Sequence, residues 1–259
     1  MLALVTGASS GIGRDITIEL AKKGYDIIAV ARNEENLNDL KKVIESKYSK
    51  RKVFIKLCDL SSSSNCIKLH DDILNNFGTI DVLINNAGFG TCGNFIDTSL
   101  DKELKMIDTN IKALHILMKL FLQDMCKVNA GYIMNVASIA GFMPGPLMAT
   151  YYSTKAYVVR LTESVRDELF MSKSKVKVSA LCPGPVKTNF NKVADVKFSI
   201  PGQKSSFVAK YAIFKMFLNR TLIFPSFFIW IYRLLCKILP DKIIAFINYF
   251  MQKRKISRK

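Results

Sequence analysis

The chain has 259 residues, 49% hydrophobic and 23% charged, enough apolar material for one large α/β domain and a composition that excludes disorder. Six scattered cysteines, with no C-x-x-C pair and no histidine cluster, argue against a zinc site or a disulfide framework and read as reduced core thiols. The formal net charge of +17 sits mostly at one end: Lys197 to Lys259 holds 13 Lys/Arg and one acid, Asp241.

In chain order, short apolar runs alternate with stretches of helical periodicity. This is the pattern of a parallel sheet covered on both faces by helices, a doubly wound, Rossmann-type α/β fold in three layers, α/β/α. Strands are predicted at 2–6 (LALVT), 26–31 (DIIAVA), 52–57 (KVFIKL), 81–85 (DVLIN), 132–137 (YIMNVA) and 177–182 (KVSALC), with helices filling the intervals. No linker divides 1–259, so a single domain is expected. The first strand follows Met1 directly, leaving no room for a secretory leader, so the expectation is a cytoplasmic protein. The polar run at 61–65 is read as a cap for the helix ending near Asn76.

Four motifs punctuate this pattern. TGASSGIG, from Thr6 to Gly13, follows the first strand, and Gly7, Gly11 and Gly13 would let the backbone turn sharply and approach a pyrophosphate at a helix N-terminus. NNAG follows the fourth strand at Asn85 to Gly88, Ser138 follows the fifth, and Y-x-x-x-K occupies Tyr151 to Lys155. The glycine spacing, G-x-x-x-G-x-G, differs from the common dinucleotide G-x-G-x-x-G. Together, in this order and at these spacings, the motifs resemble the short-chain dehydrogenase/reductase family over roughly residues 2 to 190, with Pro183, Gly184 and Thr188 adding to the likeness.

The second strand ends at Ala31 and Arg32, where a dinucleotide fold usually places an acid against the ribose 2′-hydroxyl. An acid would repel a 2′-phosphate, whereas an arginine binds one through charge-assisted hydrogen bonds; NADP(H) is therefore the expected cofactor, with Ser9 or Arg14 assisting. The resemblance implies further cofactor contacts: Ser10 and Ile12 in the glycine loop, Asp59 at the adenine with Leu60 beside it, Asn86, Ala87 and Gly88 along the adenosine and ribose, and Pro183, Gly184, Val186 and Thr188 near the nicotinamide.

A ketone accepting hydride develops alkoxide charge on its oxygen and needs a proton donor and a second hydrogen-bond donor there. Tyr151 and Ser138 are the candidates. Two tyrosines stand together at 151 and 152, but only Tyr151 lies four residues before Lys155, on the same helix face; Tyr152 points roughly 100° away. The ammonium would stabilise the phenolate. The resemblance also implies that Lys155 holds the nicotinamide ribose and that Asn110 holds a water extending the proton path. His70 and His115 lie outside every motif, and no metal is needed.

Residues 185–206 read as an irregular lid segment within a substrate-covering tail, 186–259. Two basic, apolar helices are expected beyond it, one near 226–239 and one from Asp241. The uncharged run between Arg220 and Arg233 is twelve residues long and contains Pro225, too short for the about 20 residues that a membrane span requires. The tail reads instead as an amphipathic element at a membrane surface, a cover for an apolar substrate pocket, or a homo-oligomer contact. Bases interleaved with aliphatic residues, and no recognisable binding module, argue against nucleic acid. The expected substrate is an apolar carbonyl compound or alcohol, fatty-acyl, steroidal or otherwise lipid-like.

Overall fold

A computed structural model describes residues 1–188, 190 and 202–256. Its strands are β1 (Leu2–Thr6), β2 (Asp26–Ala31), β3 (Val53–Leu57), β4 (Val82–Asn85), β5 (Tyr132–Val136), β6 (Lys177–Leu181), β7 (Val186–Lys187), β8 (Gln203–Lys204) and β9 (Leu222–Ile223). Its α-helices are α1 (Gly11–Lys22), α2 (Glu34–Lys47), α3 (Ser63–Phe77), α4 (Leu100–Ile107), α5 (Leu114–Lys127), α6 (Ala149–Met171), α7 (Ser205–Phe217), α8 (Phe227–Ile238) and α9 (Asp241–Ile256). A π-helical turn, Asp108–Ala113, joins α4 to α5, and a 3₁₀ turn, Ile139–Phe142, follows β5.

Seven strands form one parallel sheet in the order β3-β2-β1-β4-β5-β6-β9. The strands alternate their side chains between two cores. Ala3, Val5, Ile27 and Ala29 pack beneath α1, α2 and α7, while Leu4, Ile28, Val30 and Leu83 pack beneath α3, α5 and α6. Both faces are covered, which is why the strand sequences are apolar throughout rather than alternating. Strand order reverses beside β1, between β2 and β4, and the crevice at the carboxyl ends of β1 and β4 is where open α/β sheets bind ligands.

The six predicted strands are present, four of them one residue shorter than read from the sequence. Ser62 caps α3 as expected, its side chain accepting from the Asn65 amide, and Asn33 caps α2 in the same way. Three elements depart from the expectation. β9 is a two-residue edge strand inside the apolar run that precedes α8, too short for any periodicity to register. β7 and β8 pair within the segment read as irregular, of which 189 and 191–201 lie outside the described residues. The cysteines are not all core thiols: Cys66 and Cys182 are buried, but Cys126 is exposed on α5.

Candidate active site

The loop after β1 is built for close approach. Gly7 and Gly11 adopt φ of +63° and +55°, a region that disfavours side chains, and a Cβ on Gly7 would stand 2.7 Å from Asn86 Nδ2. A Cβ on Gly13 would collide with the Gly7 carbonyl, so the third glycine lets α1 pack tightly onto its own loop. The first turn of α1 carries no acid, and Ser10, at its N-cap, makes no side-chain capping bond. An N-terminus with free amides and an unopposed dipole suits a pyrophosphate, so these residues fit a dinucleotide.

NNAG braces that loop. Thr6 Oγ1 accepts from the Asn86 and Ala87 amides at 2.9 and 3.0 Å, and Asn86 Nδ2 donates to the Thr6 and Gly7 carbonyls at 2.9 and 3.2 Å. Asn86 thus spends its side chain on positioning the glycines across the β1/β4 crevice. Beneath it, Asn85 donates to Asn135, and Asn135 to Thr162 on α6, both at 2.9 Å. This buried chain ties β4, β5 and α6 together, and no periodicity or motif announced it.

Past the carboxyl end of β3, Asp59 accepts from the Ser61 amide and hydroxyl, and these bonds, with Arg32 nearby, hold its carboxyl below the usual range. Arg32 is exposed just past β2. The side chain of Leu60 is buried in the core, leaving only its backbone for a ligand. Arg14 is less available than expected, because its guanidinium donates to Asp39 on α2 at 2.5 Å.

The catalytic candidates converge at the carboxyl ends of β4 to β6. Ser138 caps the 3₁₀ turn through the Ala140 amide at 3.1 Å, and its side chain is near enough to Tyr151 to pull the phenol toward ionisation. Lys155 Nζ lies 5.9 Å from the Tyr151 ring centroid, but its hydrogen bond goes to the Val136 carbonyl at 2.8 Å. Four-residue spacing therefore brings the ammonium over the ring rather than onto the hydroxyl. Burial governs both groups: it pushes the Tyr151 phenol up to about 12 against the pull of Ser138, and draws the Lys155 ammonium down to about 8. At neutral pH the pair is a protonated phenol beside a cation. The expected depression of the phenol by Lys155 is not seen: burial dominates, and the one opposing pull comes from Ser138.

Asn110 sits in the π-helical turn, fully buried. Its Nδ2 donates to the Phe89 carbonyl and Thr154 hydroxyl at 2.9 and 3.0 Å, and its Oδ1 accepts from the Phe89 amide at 3.0 Å. A Cβ on Gly88 would lie 2.8 Å from that Oδ1 and 3.6 Å from Lys155 Nζ. Asn110 thus fixes the strand-to-helix connection against α6, and the π turn, a distortion common at functional sites, aims its amide inward.

Tyr152 has a different task. Its hydroxyl accepts from Gln252 Nε2 of α9 at 2.6 Å, and its ring packs against Gly145. It anchors the tail.

Phe190 packs obliquely on Tyr151 with ring centroids 5.3 Å apart. Thr188 turns its methyl toward Gly11 and accepts from the Phe190 amide at 3.2 Å. Pro183 and Val186 are buried, and a Cβ on Gly184 would meet Ile229 of α8 at 2.6 Å.

A family model described as short chain dehydrogenase matches residues 1–197. The chain belongs to the short-chain dehydrogenase family. This dehydrogenase is 34% identical over 195 residues to an uncharacterized oxidoreductase of Staphylococcus epidermidis, a match covering 75% of this chain and 81% of that one. It is 34% identical over 191 residues to the farnesol dehydrogenase of Aedes aegypti, covering 72% and 78%. Among solved structures it is similar to a short-chain dehydrogenase from Sphingobium yanoikuyae in complex with NADPH, with a TM-score of 0.82, 26% identity and coverage of 87% and 88%. The enzyme is accordingly an oxidoreductase.

Proposed function

We propose that this oxidoreductase uses NADP(H) to interconvert a ketone and a secondary alcohol on an apolar substrate. The observation that carries the reading is Ser138 close enough to Tyr151 to pull on its phenol, with Lys155 buried beside the ring, at the open end of the sheet and against the glycine cradle. When bound, the nicotinamide supplies or accepts the hydride.

The protein's own residues handle the oxygen. Tyr151, holding its proton at neutral pH, donates it to the carbonyl oxygen as negative charge develops there; in the reverse direction it takes the alcohol proton. Ser138 supplies the second donor and orients the carbonyl. Lys155 places a cation over the Tyr151 ring, and Asn110 holds the connection from Phe89 to Thr154 so that this alignment persists. Phe190 and Ile229 give the entrance an apolar lining that favours a lipid-like substrate, and the relative named farnesol dehydrogenase is in keeping with one. Arg32, exposed at the end of β2 where an acid would select NAD(H), supports NADP(H), as does the NADPH in the Sphingobium relative.

The test follows NADPH and NADH absorbance with carbonyl compounds graded from small polar aldehydes to acyl and steroidal ketones. Turnover of bulky apolar ketones with NADPH is expected. Exclusive use of NADH, or of small polar aldehydes, would contradict the proposal.

A further inference from the structure

The C-terminal pair of helices is amphipathic in the wrong sense for a protein in water. Toward the rest of the protein α9 turns Ile244, Asn248 and Gln252, all buried, at four-residue spacing. Asn248 Nδ2 donates to the Pro144 carbonyl at 2.8 Å, its Oδ1 accepts from Tyr232 of α8 at 3.1 Å, and Gln252 reaches Tyr152. Outward it presents Ile243, Phe246, Ile247, Phe250 and Met251, a stripe at three- and four-residue spacing. Apart from Ile244 the inward residues are polar, while the outward stripe is apolar and flanked by Lys242 and Lys253.

α8 extends the same surface. None of its twelve residues, FFIWIYRLLCKI, is buried; Phe227, Phe228, Trp230, Leu235 and Ile238 are exposed, Phe228 by 81%. Its Arg233 turns inward instead, over the rings of Phe142 and Phe224 at 5.3 and 5.6 Å. An apolar surface of this extent marks an interaction site.

Charge selects the occupant. The segment from Lys197 to the end has 13 basic residues and one acid, so a second copy seated face to face would bring like charges together, whereas a negatively charged lipid surface complements them. Lys237, Lys242 and Lys253 are exposed at the margins of the apolar residues, and aromatic rings flanked by lysines suit the level of lipid headgroups. Among the described residues no helix is long and apolar enough to cross a membrane, so the fit is to the surface.

We propose that α8 and α9 dock the enzyme on an anionic lipid bilayer and that its substrate enters from there. The second half rests on the apolar-substrate reading above. Position supports it: Ile229 of α8 lies against Gly184 beside the nicotinamide-side loop, and α9 grips Pro144 and Tyr152, one residue from the catalytic tyrosine. The docking surface and the site entrance share these helices.

The test uses the full chain with vesicles of phosphatidylcholine alone or mixed with phosphatidylserine. Co-sedimentation with anionic vesicles should exceed that with neutral ones by about tenfold, and the triple variant Phe228→Glu, Phe246→Glu, Phe250→Glu should lose it. These side chains are exposed, so the variant should turn over a water-soluble ketone at the wild-type rate while losing rate on a ketone dissolved in vesicles. Equal, weak sedimentation with both vesicle types overturns docking, as does a variant that binds like wild type. A wild-type dimer that the triple variant converts to monomer, with no vesicle binding, assigns the face to a second copy and also overturns it. Co-sedimentation needs no turnover, so vesicle binding without reduction of any ketone upholds docking and faults only the apolar-substrate reading.

Discussion

Residues 2–188 and residues 227–256 use the same apolar side chains in opposite ways. In the first region Leu4, Ile28, Leu83 and Phe121 are sealed between sheet and helices, and among the polar groups buried there Asn85, Asn110, Asn135 and Thr162 are hydrogen bonded into the scaffold of the site. In the second, phenylalanines and isoleucines face outward while Asn248 and Gln252 hold the helix down. Hydrophobic burial drives the first region to fold; in the second the stripe stabilises nothing within the chain, so its contribution must come from something that covers it.

The contrast can be tested by truncation. Leu83→Ala removes a fully buried side chain between β4 and its covering helices and should cost about 2–5 kcal/mol in urea denaturation. A loss under about 1 kcal/mol would mean that the sheet is less tightly packed than described.

A second effect is a pH dependence centred on the site. Between pH 8 and 10.5 the unfolded chain keeps a proton on Lys155 that the folded protein has shed, so stability should rise with pH across that window. Tyr151 acts in the opposite sense: folded, it keeps its proton to about 12 while the unfolded phenol loses it near 10.0, so stability falls between them. The buried thiols Cys66 and Cys182, whose ionisation burial also opposes, lower stability above pH 9, so the rise is read as a difference in denaturation: from pH 8 to pH 10 wild type should gain stability relative to Lys155→Met.

Smaller still is the cofactor effect. Arg32→Asp should weaken NADPH relative to NADH by about 10- to 100-fold, the worth of charge-assisted hydrogen bonds to a phosphate. An unchanged ratio of binding constants would place the 2′-phosphate elsewhere. Smallest of all, Phe228→Ala in the tail should leave the stability of the protein in water within about 0.5 kcal/mol of wild type. A large loss would show that α8 belongs to the core after all.

Much of the first region was legible because its signals are local. Six strands carry continuous apolar runs, the glycine loop and NNAG sit at strand ends, and the spacing from Tyr151 to Lys155 is one helical turn. The parts that escaped depend on distant partners. The Asn85–Asn135–Thr162 chain joins residues 50 and 27 positions apart, and the amide of Asn110, in the π turn, bonds to both Phe89 and Thr154, 21 and 44 positions away. β9 is an edge strand only because β6 lies beside it. Lys155 was placed on the right face, but its hydrogen bond to Val136 was set by a strand 19 residues away. The tail carried one overlooked sign: Asn248 and Gln252, four residues apart in an apolar helix, mark its inward face.

The central claim is that Tyr151, and not its neighbour, exchanges the proton. Turnover of an apolar ketone with NADPH, measured for wild type, Tyr151→Phe and Tyr152→Phe alongside NADPH binding, tests it directly. Tyr151→Phe should lower the rate by at least about 10²- to 10⁴-fold with cofactor binding retained, the range for loss of a positioned acid. Tyr152→Phe, which loses only its bond to Gln252, should keep most of its activity. Equal losses in the two variants, or an active Tyr151→Phe, would contradict the account.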